Sequence, residues 1–323
     1  MKTQCFVLIS LLLSTSGYAS QLATVSFTSD NDAPFGTDSD YTNGLFVSYT
    51  TGKLNDSARS ELLSLSTHSL DKVEFVLGQK MYTPDNISSS FPIANDRPYA
   101  GFLYSEVNYL TILPERMSRY NVTLGTVGEN SLAQQAQRFV HDMTDSEYPN
   151  GWEFQVDEGL VANLGYLNHY AWNRTTFSNS TQFELANVSE VNIGNFRSDV
   201  STGLMFRWGE YLSSSIGAAN IDSERPFRAG YLGKGTDGWF AFTGLEARYR
   251  FNDITIEGDR PGIADPENYP ATLEKGQATL VAGFTWYNAN FGGSFTATIN
   301  TNDYKEAIDS THGSASLSLF FFL

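Results

Sequence analysis

An acidic, amide-rich stretch near the start of the chain offers the first candidates for chemistry. It runs from Ser29 to Tyr49 and reads SDNDAPFGTDSDYTNGLFVSY. It begins with Asp30, Asn31 and Asp32 and then enters an alternating apolar pattern. Asp and Asn side chains often bond their own backbone, so the stretch could be no more than a set of turns. The same oxygens could hold a hard cation, and Ca²⁺ is the natural choice outside a cell.

His141 is the best candidate for a general base, because a neutral imidazole can take a proton from water. It lies in a predicted helix that Asn130 or Ser131 can cap. At helical spacing, an apolar stripe forms one face of this helix: Leu132, Ala136, Phe139, Val140 and Met143. His141 lies next to this stripe, so we expect it to point away from the packing face. The other three histidines are interpreted as ordinary polar or interfacial residues: His68, His169 and His312.

Composition excludes several classes of protein. The chain has 323 residues, of which 14% are aromatic and 17% charged. A disordered chain would have few aromatics and more charge. The net charge of -16 argues against nucleic-acid binding, which requires a basic face. The chain has no Gly-x-Ser-x-Gly, His-Glu-x-x-His or phosphate-binding Gly-rich Lys motif, so common hydrolase, zinc protease and nucleotide-binding functions lack support.

Residues 1–19 are predicted to be a secretory signal. Lys2 provides a positive start, residues 6–13 form a short apolar core, and Ala19 is suited to cleavage before the next residue. The only cysteine, Cys5, lies in this segment, so residues 20–323 need no disulfides. No later apolar run is long enough for a transmembrane helix, but a membrane β-barrel remains possible.

Alternation at period two predicts that residues 20–323 form one all-β domain, a transmembrane antiparallel β-barrel. Strands of about ten residues suit a tilted crossing of the hydrocarbon layer. Aromatic residues also cluster at strand ends, as in the girdles of membrane barrels. Twelve strands are expected, at 22–29, 41–51, 72–82, 100–111, 118–127, 155–168, 180–193, 199–209, 239–252, 275–287, 290–300 and 312–323.

An even number of strands leaves both ends of the chain on one side, expected to be periplasmic. The outward connections are then 30–40, 83–99, 128–154, 194–198, 253–274 and 301–311, with the helix in the third. The segment 210–238 is an exception, because it is too long for a periplasmic turn. A strand there could therefore be misassigned.

This topology brings distant residues to one rim of the barrel. The acidic loop, Arg97 and His141 lie in the first three outward connections. A cation could polarise an ester carbonyl, an imidazole could activate water, and a guanidinium could clamp an anionic group. For Arg97 the simpler alternative is a salt bridge with Asp96 or another loop acid.

The motifs in this order resemble one family. They are Ser-Asp-Asn-Asp, Asp-Tyr-Thr-Asn-Gly entering a strand, Asn-Asp-Arg-Pro-Tyr-Ala-Gly at 95–101, and Gln-x-x-x-His with Tyr-Pro-Asn-Gly-Trp at 137–152. Together they resemble the outer-membrane lipid A 3'-O-deacylases over nearly the whole mature chain. The resemblance implies a twelve-stranded multi-pass barrel in the bacterial outer membrane with its active site at the outer rim. It also implies Ca²⁺-dependent hydrolysis of the 3'-linked acyloxyacyl ester of lipid A.

The resemblance also assigns roles by motif. Asp32 would sit beside the Ca²⁺ ion, and His141 would be the base that activates water. Asp38 and Asp40 keep turn and strand-entry roles, while the role of Asp30 stays open. The full set of catalytic positions that it implies is Asn31, Asp32, Thr42, Arg97, His141 and Glu147. The expected partners are lipopolysaccharide and outer-membrane lipid, and the chain is expected to be a monomer.

Two other functions stay open. An outer-membrane phospholipase would share the barrel and the metal but act on glycerophospholipid. A non-enzymatic small porin or structural barrel would need only a charged lumen. The predicted inward positions Glu246, Arg248 and Arg250 suit that function equally well, because narrow barrels fill their lumens with paired side chains.

Overall fold

Alternating apolar and polar residues form twelve antiparallel strands in the computed structural model, which describes residues 23–36, 39–232 and 237–323. The predicted signal segment and Asp38 lie outside the described residues. The strands are β1 Thr24–Asn31, β2 Asp40–Thr50, β3 Leu70–Thr83, β4 Ala100–Leu113, β5 Arg116–Val127, β6 Gly159–Thr176, β7 Gln182–Gly194, β8 Arg197–Gly209, β9 Gly238–Asp253, β10 Gly276–Tyr287, β11 Phe291–Thr301 and β12 Thr311–Phe322.

The strands close into a barrel. Each strand pairs with its neighbours in the chain, and β1 pairs with β12 from Thr24↔Phe322 to Asn31↔Ala315. The predicted all-β antiparallel barrel of twelve strands is confirmed. Most predicted boundaries differ by one to three residues, but β6 was predicted at 155–168 and runs from Gly159 to Thr176.

The two faces of the wall differ as the pattern predicted. In β12 the side chains of Leu317, Leu319 and Phe321 are exposed on the outer face, while Ser316 and Ser318 are buried in the lumen. Apolar side chains that point outward along the whole wall form a continuous surface suited to lipid.

Aromatic rings mark one end of this outer surface. Trp208, Trp239 and Trp286 lie at the ends of β8, β9 and β10 that are remote from the predicted helix. The rings of Trp208 and Trp239 meet edge to face, with centroids 5.1 Å apart. This is the arrangement expected of an interfacial girdle.

The end of the barrel formed by the connections after odd-numbered strands is called the outer rim. It carries the helix α1, Ala133–Thr144, between β5 and β6 as predicted, and the short helix α2, Ile254–Glu257. The residue before α1 is Leu132 in a left-handed conformation, not the predicted Asn130 or Ser131. Ser131 still helps to cap, because its hydroxyl accepts a hydrogen bond from the Ala133 N–H at 3.3 Å. No helix in the described ranges is long and apolar enough to cross a membrane.

The long connection between β8 and β9 is not a periplasmic turn, because it folds back into the barrel. Its described part, residues 210–232, is called the plug. It contains no strand, only an isolated bridge between Ala219 and Phe227, so the twelve strand assignments hold. The plug folds into the lumen and packs Ile216, Phe227 and other apolar residues against inward side chains of the wall. Their burial inside the barrel removes apolar surface from water, which stabilises the plug in the lumen.

Ion pairs fix the plug to the wall. Arg207 and Glu184 pair within the wall at 2.6 Å, and Arg207 also donates to the carbonyl oxygen of Leu212 in the plug at 2.8 Å. Arg228 of the plug pairs with Glu106 at 3.0 Å and Glu74 at 3.3 Å. Buried charges of opposite sign satisfy one another here, as a low-dielectric lumen requires.

The predicted inward charges of β9 belong to the same network. Arg248 pairs with Asp199 at 2.7 Å and with Glu246 at 2.9 Å, and Arg250 pairs with Asp253 at 3.0 Å. The cavity among these charges and the plug is only about 100 Å³. The lumen is therefore largely filled by protein.

Replacing residues 213–231 with a short Gly-Ser linker should open the barrel to ions. A twelve-stranded barrel is wider than the eight-stranded barrels that side chains alone can fill. We expect conductance in planar bilayers to rise by about an order of magnitude or more over the intact chain. Large conductance steps from the intact chain would instead favour the porin function and contradict a filled lumen.

Candidate active site at the outer rim

Helix α1 lies against the outside of the barrel wall. It packs on β3 and β4 and buries the side of the helix that carries Ala133, Gln137 and His141. The predicted packing face was wrong, because most of the apolar stripe faces away from the wall. The exposed fractions are 52% for Leu132, 65% for Phe139, 48% for Val140 and 71% for Met143. His141 therefore points toward the barrel.

A glycine allows α1 to approach the barrel wall closely. A Cβ atom at Gly101 of β4 would collide with Ser131 Oγ and with the Cβ of Ala133. Gln79 of β3 donates from Nε2 to the carbonyl oxygen of Ser131 at 2.7 Å and anchors the same turn. The small and polar groups of this part of the wall select the small and polar side of the helix.

A cleft of about 360 Å³ separates α1 from the wall. Four of the six residues assigned by motif line it, namely Asn31, Asp32, Thr42 and His141. The remaining lining residues are Ala33, Asn43, Leu45, Met81, Ala136, Gln137, Val140, Thr144 and Ser146. The cleft is thus lined by both polar and apolar side chains.

The end of β1 supplies the amide and the carboxylate. Asn31 Oδ1 accepts from the Ala33 N–H at 2.9 Å, and Asn31 Nδ2 donates to the carbonyl oxygen of Thr42 at 3.3 Å. Asp32 is buried, and its Oδ2 accepts from the Ser39 N–H at 2.7 Å. The Asn31–Ala33 contact is an Asx turn of the kind that the simpler interpretation of the stretch predicted. Together with the longer-range bonds to Ser39 and Thr42, it holds both side chains at the cleft.

A bulge in β2 places Thr42. The pairing with β3 shifts between Tyr41 and Asn43, which leaves Thr42 as an extra residue. Tyr41 points into the lumen and donates from its hydroxyl to Asp30, while the Thr42 hydroxyl lies 2.5 Å from that of Thr83. Bulges commonly re-aim a side chain beside a functional site.

The His141 ring is held in one tautomer. It is 8% exposed, and its Nδ1 lies 2.5 Å from the backbone carbonyl oxygen of Glu147. A carbonyl oxygen can only accept, so Nδ1 carries the proton and Nε2 of the neutral ring carries the lone pair. The turn after the helix makes this contact, because Asp145 is left-handed and its N–H bonds to the carbonyl of His141. The Glu147 residue is exposed, so it reaches the histidine through its backbone.

Side chains from two of the sequence motifs pack against α1. Trp152 Nε1 donates to Gln137 Oε1 at 2.7 Å, and the Trp152 and Tyr99 rings lie 4.8 Å apart. A Cβ atom at Gly151 would come within 2.7 Å of the Tyr99 ring. The sequence alone gave no role to Tyr99, Gly151 and Trp152. The only sequence signal for them is that they belong to the same motifs as Arg97 and His141.

Arg97 does not line the cleft. Its guanidinium lies over the ring of Tyr82, which points into the lumen, and it is 3.6 Å from both Asp40 and Asp303. Burial favours the neutral form of the guanidinium, but these carboxylates outweigh it and raise the pKa of Arg97. The Asp96 carboxyl instead accepts backbone N–H bonds, and burial raises its pKa. Arg97 therefore forms salt bridges with other acidic residues of the rim, as the simpler alternative predicted.

Arg97→Met is expected to destabilise the outer rim by about 3 kcal/mol, because it leaves the Asp40 carboxylate without its arginine and leaves Asp303 with Arg250 alone. Urea unfolding of the chain in lipid vesicles would measure this change. The matched control is Arg260→Met, since Arg260 also lies in an outer-rim connection but bonds to the backbone carbonyl of Tyr269. Equal stability of the two variants would contradict a structural role for Arg97.

The oxygen atoms of the cleft are of the kind that a hard cation binds. Asp32 offers a carboxylate, and Asn31 and Thr42 offer neutral oxygens beside it. Over the described part of the chain, no group of three His, Cys, Asp or Glu residues is placed to hold a metal. A hard cation in this cleft would have Asp32 as its one charged ligand, with neutral oxygens from Asn31 and Thr42.

Comparison with known proteins agrees with this architecture. The family model described as Outer membrane protein LpxR matches residues 5–323. The solved structure of LpxR from Salmonella typhimurium covers 93% of this chain and 100% of its own, with a TM-score of 0.77 and 16% identity. The β domain of the Bordetella autotransporter BrkA covers 94% and 98%, with a TM-score of 0.44 and 10% identity. No curated protein sequence matches the chain significantly. The chain therefore belongs to the LpxR family of outer membrane proteins, and its resemblance to the outer-membrane lipid A 3'-O-deacylases is confirmed.

Proposed function

We propose that this protein is a Ca²⁺-dependent lipid A 3'-O-deacylase, with His141 as its general base. The observation that carries the proposal is the buried imidazole of His141. Its Nδ1 is held by the Glu147 carbonyl, and it lines one cleft with Asn31, Asp32 and Thr42. Because that carbonyl leaves the lone pair on Nε2, the ring is set to accept a proton.

The position of the cleft suits a lipid substrate. Leu45 lines it and also lies on the outward, exposed face of β2. The cleft therefore opens at the lipid-facing wall near the outer rim, at the level of the outer leaflet. Met81, Ala136 and Val140 would contact an acyl chain, while the polar lining residues would receive the ester and the sugar.

The reaction that these residues can support is hydrolysis by water. Nε2 of His141 takes a proton from a water molecule, whose oxygen attacks the carbonyl carbon of the 3'-linked ester. The tetrahedral intermediate collapses and breaks the bond between that carbon and the 3'-oxygen of the sugar. The proton on His141 passes to this oxygen. The products are an acyloxyacyl carboxylic acid and lipid A with a free 3'-hydroxyl.

Asp32, with help from Asn31, would hold Ca²⁺ in the cleft. The ion would supply Lewis-acid polarisation of the ester carbonyl. Arg97 lies on the lumen side, so we assign it the role of fixing Asp40 and Asp303 at the rim rather than clamping substrate. Glu147 would act by orienting His141.

Purified protein in mixed micelles tests this proposal against its alternatives. Lipid A and labelled phospholipid are supplied together, with Ca²⁺ or with a chelator, and products are read by mass spectrometry. We expect loss of the 3' acyloxyacyl chain from lipid A in Ca²⁺ alone. Fatty-acid release from phospholipid with intact lipid A would favour the phospholipase. Absence of any hydrolysis would favour a non-enzymatic barrel.

A further inference from the structure

We propose that the exposed apolar face of α1 is embedded in the hydrocarbon of the outer leaflet, so that acyl chains of membrane lipid cover it. This lipid-contact face consists of Leu132, Phe139, Val140 and Met143. The inference concerns where the helix lies in the membrane and does not rest on the proposed chemistry.

The lipid-contact face is one of three faces of α1. The buried face carries Ala133, Gln137 and His141 against the wall. The third face is polar and exposed, and it includes Gln135 and Asp142. A helix in water gains nothing by exposing Phe139 and Met143 on one side while it keeps its polar residues on another. A helix at a membrane surface is stabilised by this division, since one face contacts lipid and the other water.

The direction of the lipid-contact face follows from the cleft. Val140 lines the cleft opposite Leu45, and Leu45 is an exposed outward residue of a spanning strand. The apolar face of the helix is therefore continuous with the lipid-facing wall across the cleft mouth. Exposed outward leucines continue this wall on the neighbouring strands, including Leu77 of β3 and Leu124 of β5.

This continuity identifies lipid as the occupant. The barrel wall already requires acyl chains around Leu45 and Leu77, and the exposed side chains of Val140 and Met143 extend this apolar surface onto the helix beside the cleft. The polar face, where Arg138 lies over the ring of Tyr148 at 5.2 Å, would face water and headgroups. The consequence is that the cleft mouth lies at the hydrocarbon boundary, where an acyl chain can enter without crossing water.

A single labelled cysteine tests the placement, because residues 20–323 contain no native cysteine. The variant Met143→Cys carries an environment-sensitive fluorophore, and the folded protein is reconstituted into phosphatidylcholine vesicles with or without bromine on the acyl chains. The matched control is Asp142→Cys, the adjacent position on the polar face. The positive control is Leu77→Cys on the barrel wall.

Brominated chains are expected to quench the label at position 143 at least about half as strongly as the label at 77, and to leave the label at 142 nearly unchanged. Aqueous iodide should quench in the opposite order. Equal quenching at 143 and 142, or shielding of 143 from both quenchers, would overturn the proposal. Phe139→Cys repeats the test on the same face, and the heat-dependent gel mobility of each variant confirms that the barrel is folded.

Discussion

Replacing His141 by alanine is expected to lower the rate of lipid A deacylation by about 10³-fold, within the range typical of a lost general base. The buried ring lines the cleft, and its Nδ1–H donates to the Glu147 carbonyl. No other histidine among the residues that line the cleft could replace it. Steady-state hydrolysis of lipid A by the purified variant in detergent would measure the loss. The effect should appear in kcat rather than in KM, because proton transfer occurs in the transition state.

The control for this variant is Asp142→Ala. Asp142 is the adjacent residue of α1 and is exposed, so its loss should leave both activity and heat-dependent gel mobility unchanged. A His141→Ala variant that keeps a tenth or more of the activity would exclude the histidine as the base. Equal loss in both variants would indicate that the helix, rather than the imidazole, had been disturbed.

Asp32→Asn should be the second most damaging single substitution, with a loss of about 10²–10³-fold in deacylation. Asp32 is the only carboxylate among the residues that line the cleft. Its amide would still fill the space beside the Ser39 N–H but would remove the negative charge that a cation needs. Activity measured against Ca²⁺ concentration would show the change.

The wild-type protein should need about 10⁻⁴–10⁻³ M Ca²⁺ for half-maximal activity, because few charged ligands give weak Ca²⁺ sites. Asp32→Asn should not recover full activity at any Ca²⁺ concentration. Asp309→Asn, which removes an exposed carboxylate from the same rim, is the matched control. Full activity of the wild-type protein in excess chelator would contradict a role for the ion.

The barrel could be predicted from the sequence because most spanning strands run more than ten residues and repeat a period-two pattern. A strand such as β12 places Leu317, Leu319 and Phe321 on one face whatever its neighbours are. The plug could not be predicted in the same way. Residues such as Ile216 and Phe227 bury their side chains against the lumen wall without a regular period, so only the length of the segment signalled that it was unusual.

The orientation of α1 was predicted wrongly for a physical reason. An apolar stripe normally marks the face that packs on protein, because water is the usual alternative. Here Phe139 and Met143 face outward beside a lipid-facing wall, while Gln137 and His141 are buried in the cleft between the helix and the wall. The hydrophobic pattern of a helix does not distinguish a protein core from a membrane.

The motifs identified most of the residues that line the cleft, but membership of a motif did not predict which residues contact one another. Asn31 and His141 are far apart in the chain and line one cleft, as their shared rim predicted. Arg97 belongs to the same set of motifs yet lies on the lumen side of the wall, because its guanidinium is drawn to Asp40 and Asp303. Strand alternation places a residue near a rim, and only the packing of loops decides which side of the wall it faces.

The most direct test is mass spectrometry of lipid A from cells that express the wild-type chain or His141→Ala at equal outer-membrane levels. We expect lipid A that lacks the 3' acyloxyacyl chain with the wild-type chain only. The variant should give the same acylation pattern as cells without the protein. Identical lipid A from all three strains, or deacylated lipid A from both expressing strains, would contradict hydrolysis by His141 in the cleft between α1 and the barrel wall.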